Sequence, residues 1–210
     1  FLLYLLPLAL VTGPFLSDLI ASSLGLFFLV ISFKNKLWGY YQNKFIIIFF
    51  IFYTYILLRS LLSSEPLFSL ESSLFYFRFI FFILAIAYIF DNNKNAVKYT
   101  FISLNIIILI VCIDAFYQFI FGKNLIGYER IQPYNYLSGF FGTENILGSY
   151  LSRLLCFYFA LAFILLRRNN LNYWLTMILP ALMFFITFLS GERAAFFLIS
   201  IAFLIILLLV

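Results

Sequence analysis

Histidine is missing from this sequence altogether, and charge of either sign is scarce: 13 Lys and Arg face 8 Asp and Glu in 210 residues, a net charge of +5. Without histidine, and with Cys112 and Cys156 each inside an apolar run, there is no Cys/His cluster at metal-ligand spacing. The two thiols read as packing residues rather than as a disulfide. There is no glycine-rich phosphate loop and no nucleophile elbow. The cations are not gathered into the basic patch that nucleic acid requires, so no nucleic-acid partner is expected. What remains is apolar. Hydrophobic residues make up 66% of the chain, 31 of them Phe, and the mean hydropathy is +1.12. That much Phe, Ile and Leu could not be covered in water, so the composition excludes a soluble globular domain and makes the lipid bilayer the solvent.

The chain opens on FLLYLLPLAL with no initiator Met, shows no basic-then-apolar signal peptide, and closes on FLIILLLV in mid-helix. It reads as the N-terminal part of a longer protein, truncated at both ends. A spanning helix needs roughly 20 apolar residues, and on that rule about eight segments are expected, near 1–12, 16–33, 45–63, 70–90, 96–121, 143–166, 171–189 and 193–210. The breaks between them carry turn or charge signals: TGP, KNK, SSEP, DNNKN, the long stretch at 122–142, RRNN and SGER. No internal repeat is visible. The expected fold class is an all-α integral membrane bundle, a single multi-pass transmembrane domain over 1–210.

Lys and Arg in short loops mark the cytoplasmic face. Lys34, Lys36 and Lys44 fall in one connection, Lys94 and Lys98 in another, and Arg167 with Arg168 in a third. These connections alternate, which places them on one face and starts the N-terminal segment inside. Trp38, Tyr40, Tyr41, Tyr173 and Trp174 flank them like an interfacial belt. The loop at 122–142 then faces outward. Of the acids only Asp91 falls on the basic side; Asp18, Glu65, Glu71, Asp114, Glu129, Glu144 and Glu192 fall in the outward half, together with Arg59, Arg78, Lys123, Arg130, Arg153 and Arg193.

Two clusters stand out on that outward side. In YLSGFFGTENILGSYLSRLL, residues 136–155, the positions Asn145, Gly148, Ser149, Ser152, Arg153 and Cys156 fall on one stripe of a helix. That stripe needs protein or water beside it, because a charge at mid-bilayer costs about 2.5–3.5 kcal/mol even on a lenient scale. Thr143 is the expected N-cap and Glu144 the first-turn carboxylate that suits the helix dipole. In Ser190-Gly191-Glu192-Arg193, Ser190 is placed to cap the last helix with Glu192 in its first turn. Arg193 is a cation at a helix N-terminus, where the dipole disfavours it. Such a cation calls for a partner, either a carboxylate such as Glu192, Asp114 or Glu144, or an anionic ligand. Asp114 and Gln118, four apart, share a helix face, Arg59 and Arg78 are candidates to snorkel, and Arg130 lies in a loop long enough to be functional. GFFG at 139–142 reads as a flexible loop-to-helix turn. A plain structural bundle, in which each of these groups pairs with another, accounts for them about equally well.

YLSGFFGTENILGSYLSRLL and FLSGERAAFFLI, separated by one hairpin on the basic side, resemble the O-antigen ligase/polymerase superfamily of bacterial polytopic membrane enzymes, and the opening LLPLALVTGPFLSDL looks like that family's first hairpin. The resemblance implies a GT-C-like helical glycosyltransferase of about a dozen spans, on the scale of some 20 residues each. Such an enzyme moves a glycan from undecaprenyl pyrophosphate to a lipid A-core or growing-polysaccharide acceptor at the periplasmic face of the inner membrane, without a metal or other cofactor. Arginines of the two motifs would hold the diphosphate and the charge that builds on it; the second is matched by Arg193. Where the family has the Arg of Arg-x-x-Gly, this chain has Tyr136, and Arg130 is the candidate to stand in for it. Arg153 would add positive field, Glu192 or Glu144 would orient the arginines, and Asn145 is the remaining substrate-binding candidate. The family's acceptor-side histidine would lie beyond Val210, so this piece is expected to be inactive alone. The reading of another class is a transporter or flippase for a lipid-linked or anionic substrate. That class predicts midplane charges and repeated halves, whereas here the charges gather toward one face.

Overall fold

The computed structural model describes residues 1–167 and 173–209, without the side chains of residues 173–175, 207 and 209. Arg168 therefore lies outside the described residues, as do the side chains of Tyr173 and Trp174. Among the described residues the regular structure is helical, apart from two isolated antiparallel bridges, Lys123 with Glu129 and Ile131 with Tyr136. Lipid offers the backbone no hydrogen bonds, so apolar runs satisfy their N–H and C=O groups internally by coiling.

The helices are α1 (Leu2–Thr12), α2 (Pro14–Asn35), α3 (Lys44–Leu61), α4 (Pro66–Leu74), α5 (Arg78–Asn92), α6 (Ala96–Phe121), α7 (Leu147–Arg167), α8 (Tyr173–Ser190) and α9 (Arg193–Leu209). Their starts follow local chemistry. Pro14 and Pro66 stand at first-turn positions, where a missing N–H costs nothing. The Asn43 side chain caps α3 by accepting from Phe45 N at 3.1 Å. The fourth apolar segment is longer than its sequence suggests: α4 and α5, joined by a 3-10 turn at Phe75–Phe77, run together over Pro66–Asn92. Five of the described helical stretches are long and apolar enough to cross a membrane: Pro14–Asn35, Lys44–Leu61, Pro66–Asn92, Ala96–Phe121 and Leu147–Arg167. The three other apolar helices, α1, α8 and α9, are shorter over their described residues. The protein is thus all-α and compatible with several membrane crossings.

The chain divides into two compact units, residues 1–6 with 14–94, and residues 7–13 with 95–210. In the first, α2 packs along α5. Gly25 permits the approach, because a Cβ there would sit 3.3 Å from Phe81 Cβ and 3.5 Å from the Arg78 carbonyl. Arg78 does not simply snorkel. Its Nη2 pairs with Asp18 Oδ2 at 2.9 Å, so each helix neutralises the other's charge. At the basic end of this unit Phe28 is fully buried beneath Tyr40, Tyr41 and Tyr88, with ring centroids 5.9, 6.0 and 6.0 Å away.

There Tyr40 Oη donates to Asp91 Oδ2 at 3.0 Å. Burial first, and then the Asp91 carboxylate, hold the Tyr40 phenol above its ordinary value. A raised folded-state pKa means that this stabilisation is whole below about pH 10, the unperturbed tyrosine value, and is lost as pH climbs through the higher folded value. The stability advantage of wild type over Tyr40→Phe should therefore shrink as pH rises from 9 toward 12, read as the gap between their unfolding curves in micelles. A gap independent of pH would remove the phenol–carboxylate bond as its source.

The second unit is built on α6 and α7, with α8 and α9 packed against them. Leu104, Ile108, Leu151, Leu155, Met183, Ile186 and Ile199 are fully buried at its centre. Tyr158 joins them, donating its hydroxyl to the Thr176 carbonyl at 3.0 Å. Contacts within a bilayer depend on close packing and polar bridges rather than on hydrophobic drive, and both devices recur where the predicted site lies. Cys112 is buried, Cys156 is exposed, and both are free thiols.

Candidate functional site: a carboxylate-stapled helix junction beside an ordered loop

α7 opens at Leu147, not at Thr143. Gly142 at φ +65° turns the chain sharply, and Glu144 N bonds back to the Phe141 carbonyl at 3.2 Å. Helical bonding resumes only with Tyr150 N to the Ile146 carbonyl at 2.8 Å. Thr143 is therefore no N-cap and Glu144 no first-turn residue; both are exposed in the turn before the helix.

The carboxylate that meets the positive end of α7 comes instead from 44 residues later. Glu192 Oε1 accepts from Gly148 N at 2.6 Å, and Oε2 accepts from Ser149 N at 3.1 Å and Ser149 Oγ at 2.8 Å. Two N–H groups that a helix start leaves open are satisfied by one anion aligned with the dipole. Glu192 itself precedes α9, where its carbonyl accepts from Phe196 N at 3.0 Å. One residue thus staples α7 and α9 together. The packing is tight enough to require glycine at 148: a Cβ there would meet Ser190 Oγ at 2.8 Å, Ala195 Cβ at 3.0 Å and Glu192 Cβ at 3.2 Å.

Ser190 ends α8 rather than capping α9. Its buried hydroxyl donates to the Thr187 carbonyl at 2.8 Å and accepts from Glu192 N at 3.3 Å. This fixes the backbone that aims Glu192. Gly191 has φ +78°, and a Cβ would strike the Tyr136 ring at 2.5 Å. Tyr136, which stands where the resembled family has arginine, is thereby packed on the turn between α8 and α9.

The loop at 122–142 is ordered by side chains that line up on α6. Gln118, fully buried, accepts from Ser138 N at 3.0 Å and Gly139 N at 2.9 Å through Oε1. Its Nε2 donates to the Tyr128 carbonyl at 3.2 Å and Ser138 Oγ at 3.3 Å. Asp114, one turn earlier and equally buried, accepts from Leu125 N at 2.9 Å and Asn124 Nδ2 at 3.4 Å. Asn124 Oδ1 gathers the N–H groups of Ile126, Gly127 and Tyr128 at 3.1, 2.8 and 2.7 Å, while its Nδ2 donates to the Gly139 carbonyl at 2.8 Å. GFFG is accordingly not a flexible turn: Gly139–Phe141 is a 3-10 turn pinned to α6. Gly139 has φ +53°, and a Cβ there would press on Asp114 Oδ2 at 3.3 Å.

The predicted arginines separate into two kinds. Arg130 turns back to the C-terminus of α6, donating Nε to the Gln118 carbonyl at 3.2 Å and Nη2 to the Phe119 carbonyl, with its guanidinium over the Phe119 ring. It satisfies carbonyls that the helix end leaves open. It also lines a groove of about 410 Å³ with Lys123, Glu129, Gln132 and Asn135, in which Lys123 and Glu129 are paired at 3.0 Å. Arg193 and Arg153 are exposed, and neither has an ion-pair partner among the described residues. The carboxylates expected to neutralise Arg193 are engaged elsewhere or exposed: Glu192 on α7, Asp114 on the loop, Glu144 in solvent. Arg153 stands four residues after Ser149, about one helical turn from the staple, and Arg193 directly follows Glu192. Asn145 precedes α7 with its Oδ1 enclosed and without a described partner.

The stripe seen in the sequence is therefore half real. Gly148 and Ser152 are buried in the helix junction, whereas Arg153 and Cys156 are exposed. Asp114 and Gln118 do share one face of α6, and that face anchors the loop, which their spacing alone does not reveal. An Asn two residues beyond the helix-ending Gly122, followed by Gly127, is the turn signal that could have revealed the Asn124 hub. Among the described residues no group of three His, Cys, Asp or Glu side chains could hold a metal. No family model matches this chain, and neither does any curated protein or solved structure.

Proposed function

We propose that this chain belongs to an O-antigen ligase-like glycosyltransferase, with all eight apolar segments crossing the bacterial inner membrane and the N-terminal segment starting in the cytoplasm. It would transfer a glycan from undecaprenyl pyrophosphate to a lipid A-core or polysaccharide acceptor at the periplasmic face. The observation that carries this reading is the pair Arg153 and Arg193, exposed and without a described counter-ion on either side of the junction that Glu192 staples. A cation at a helix start, with its neighbouring carboxylate already committed, is suited to an external anion, and a diphosphate leaving group supplies one.

In this mechanism Arg193 and Arg153 hold the diphosphate and stabilise the negative charge that grows as the sugar–phosphate bond breaks. Glu192 acts as a positioning residue, fixing the backbone that presents Arg193. Asn145, its Oδ1 enclosed just before α7, would shape the polar floor of the site rather than meet the sugar directly. Arg130, tied to α6, contributes positive field from the groove beside it, and Glu144 stays at the rim.

The test uses cells making an undecaprenyl-linked glycan, comparing Arg193→Gln with wild type at equal membrane levels. Loss of one charge-stabilising donor should slow transfer by about 10²-fold, so lipid-linked donor accumulates and transferred product falls. Unchanged product would return Arg193 to a structural role and shift the weight to a transporter or a scaffold.

A further inference from the structure

We infer that the aromatic and basic cleft between α2 and α3 is a binding site for the headgroup of an anionic phospholipid. The inference is independent of the transfer reaction, and it rests on three features of the first unit.

The first is place. The connection Trp38–Gln42 is a 3-10 turn between two helices each long enough to span the bilayer. It must therefore lie at one of the membrane's polar interfaces. The second is an apolar frame held in fixed geometry. Trp38 packs on Phe33 and Tyr41 at 5.7 and 6.1 Å, yet Trp38 remains 51% and Phe33 64% exposed. Tyr40 is locked by its bond to Asp91 and by edge contact with Phe28 and Tyr88. Exposed aromatic edges beside a polar turn are what glycerol and upper acyl carbons meet at an interface.

The third is charge. Lys34, Lys36 and Lys44 surround this turn, all exposed and without an ion-pair partner among the described residues. The nearby acid, Asp91, already accepts from Tyr40. Lys36 adopts left-handed backbone at φ +52°, held by Leu37 N on the Ser32 carbonyl at 3.0 Å. That sharp turn lets Lys36 and Tyr40 line one cleft of about 420 Å³ with Leu37 and Gly39. The Lys36 ammonium can donate to a phosphodiester there, while Tyr40, its one hydroxyl hydrogen committed to Asp91, offers its ring. A soluble phosphate would use only the charges. A phospholipid uses the aromatic edges as well, which is why the lipid is the occupant assigned.

Trp38 reports on its own site once Trp174, the other of the two tryptophans, is replaced by Phe. The Trp174→Phe protein would be reconstituted in phosphatidylcholine vesicles containing brominated phosphatidylglycerol, or brominated phosphatidylcholine at equal fraction. The anionic lipid should quench Trp38 as though enriched about fivefold or more over its bulk fraction, the effect of one well-placed lysine at a membrane surface. Lys36→Gln, and Lys34→Gln with it, should return quenching to the bulk value while circular dichroism stays unchanged. Lys98→Gln should leave the enrichment intact. Equal quenching by the two brominated lipids would overturn the proposal, and so would a loss in Lys98→Gln as large as in Lys36→Gln, since both results mean a diffuse surface field. Erasure of the enrichment by millimolar inorganic phosphate would reassign the cleft to a free anion. Should the double variant misfold, Lys36→Gln alone decides.

Discussion

Replacing Gln118 with leucine should release the loop at 122–142 while leaving the helices in place. The substitution keeps an apolar volume on α6 but strands Ser138 N and Gly139 N, both of which Gln118 now serves, while the Tyr128 carbonyl keeps its bond from Asn124 N. Each buried polar group left without a partner costs about 1–3 kcal/mol, so a combined local loss of about 4 kcal/mol is expected. At 1.4 kcal/mol per factor of ten, amide exchange at residues 136–139 should accelerate by about 10³-fold. The hydrogen bonds of mid-α7 should exchange as before. Unchanged protection in the loop would transfer its anchoring to Asp114 and Asn124, which hold residues 124–128 independently. Because Tyr136 packs on Gly191, a released loop should, on the proposed function, also lower transfer in the assay described for Arg193.

Glu192→Leu should be the most damaging single change at the helix junction. It removes three acceptor contacts and leaves the α7 N-terminus without its anion. Hydrogen bonds to a charged group contribute about 1.5–3 kcal/mol, and the dipole adds up to about 1 kcal/mol at a partly exposed site. A loss of about 3 kcal/mol is therefore expected, read as a shift in unfolding by dodecyl sulfate in mixed micelles. Glu192→Gln retains the shape and one carbonyl acceptor, so it should lose about half as much. The ratio between the two variants is the diagnostic. Equal losses would mean that the carboxylate charge carries the whole interaction and that the retained carbonyl acceptor contributes nothing. On the proposed function, Glu192→Gln should also slow glycan transfer, with Arg193 still present but less firmly aimed.

Helix existence and most helix boundaries were legible from composition and punctuation, because lipid leaves the backbone no alternative to internal hydrogen bonding. Pro14, Pro66 and Asn43 mark starts by local chemistry that travels with the residue. The start of α7 departs from its local signals for a physical reason. Thr143 and Glu144 have the right side chains for a helix entrance, but Gly142 and the bond from Glu144 N to the Phe141 carbonyl spend those residues on a turn. A cap expected within the segment was supplied from another helix, and no local rule anticipates a carboxylate arriving across 44 positions. The same holds for Arg130, whose length lets it reach either outward to an anion or back to α6. The open carbonyls of Gln118 and Phe119 drew it back.

The amino-acid sequence by itself determined the apolar, helical class, the placing of Lys34, Lys36 and Lys44 between two apolar segments and the pairing of Asp114 with Gln118 on one face. These depend on hydropathy and on periods of a few residues, which are properties of the covalent order. Only the tertiary structure decided which charges are spent and which remain available. It assigned Glu192 to the dipole of α7, Asp18 to Arg78 and Asp91 to Tyr40, and left Arg153 and Arg193 exposed without a described ion pair. A charge is neutralised by whatever lies within a few ångströms of it in space, and that neighbour is set by how helices distant in sequence pack.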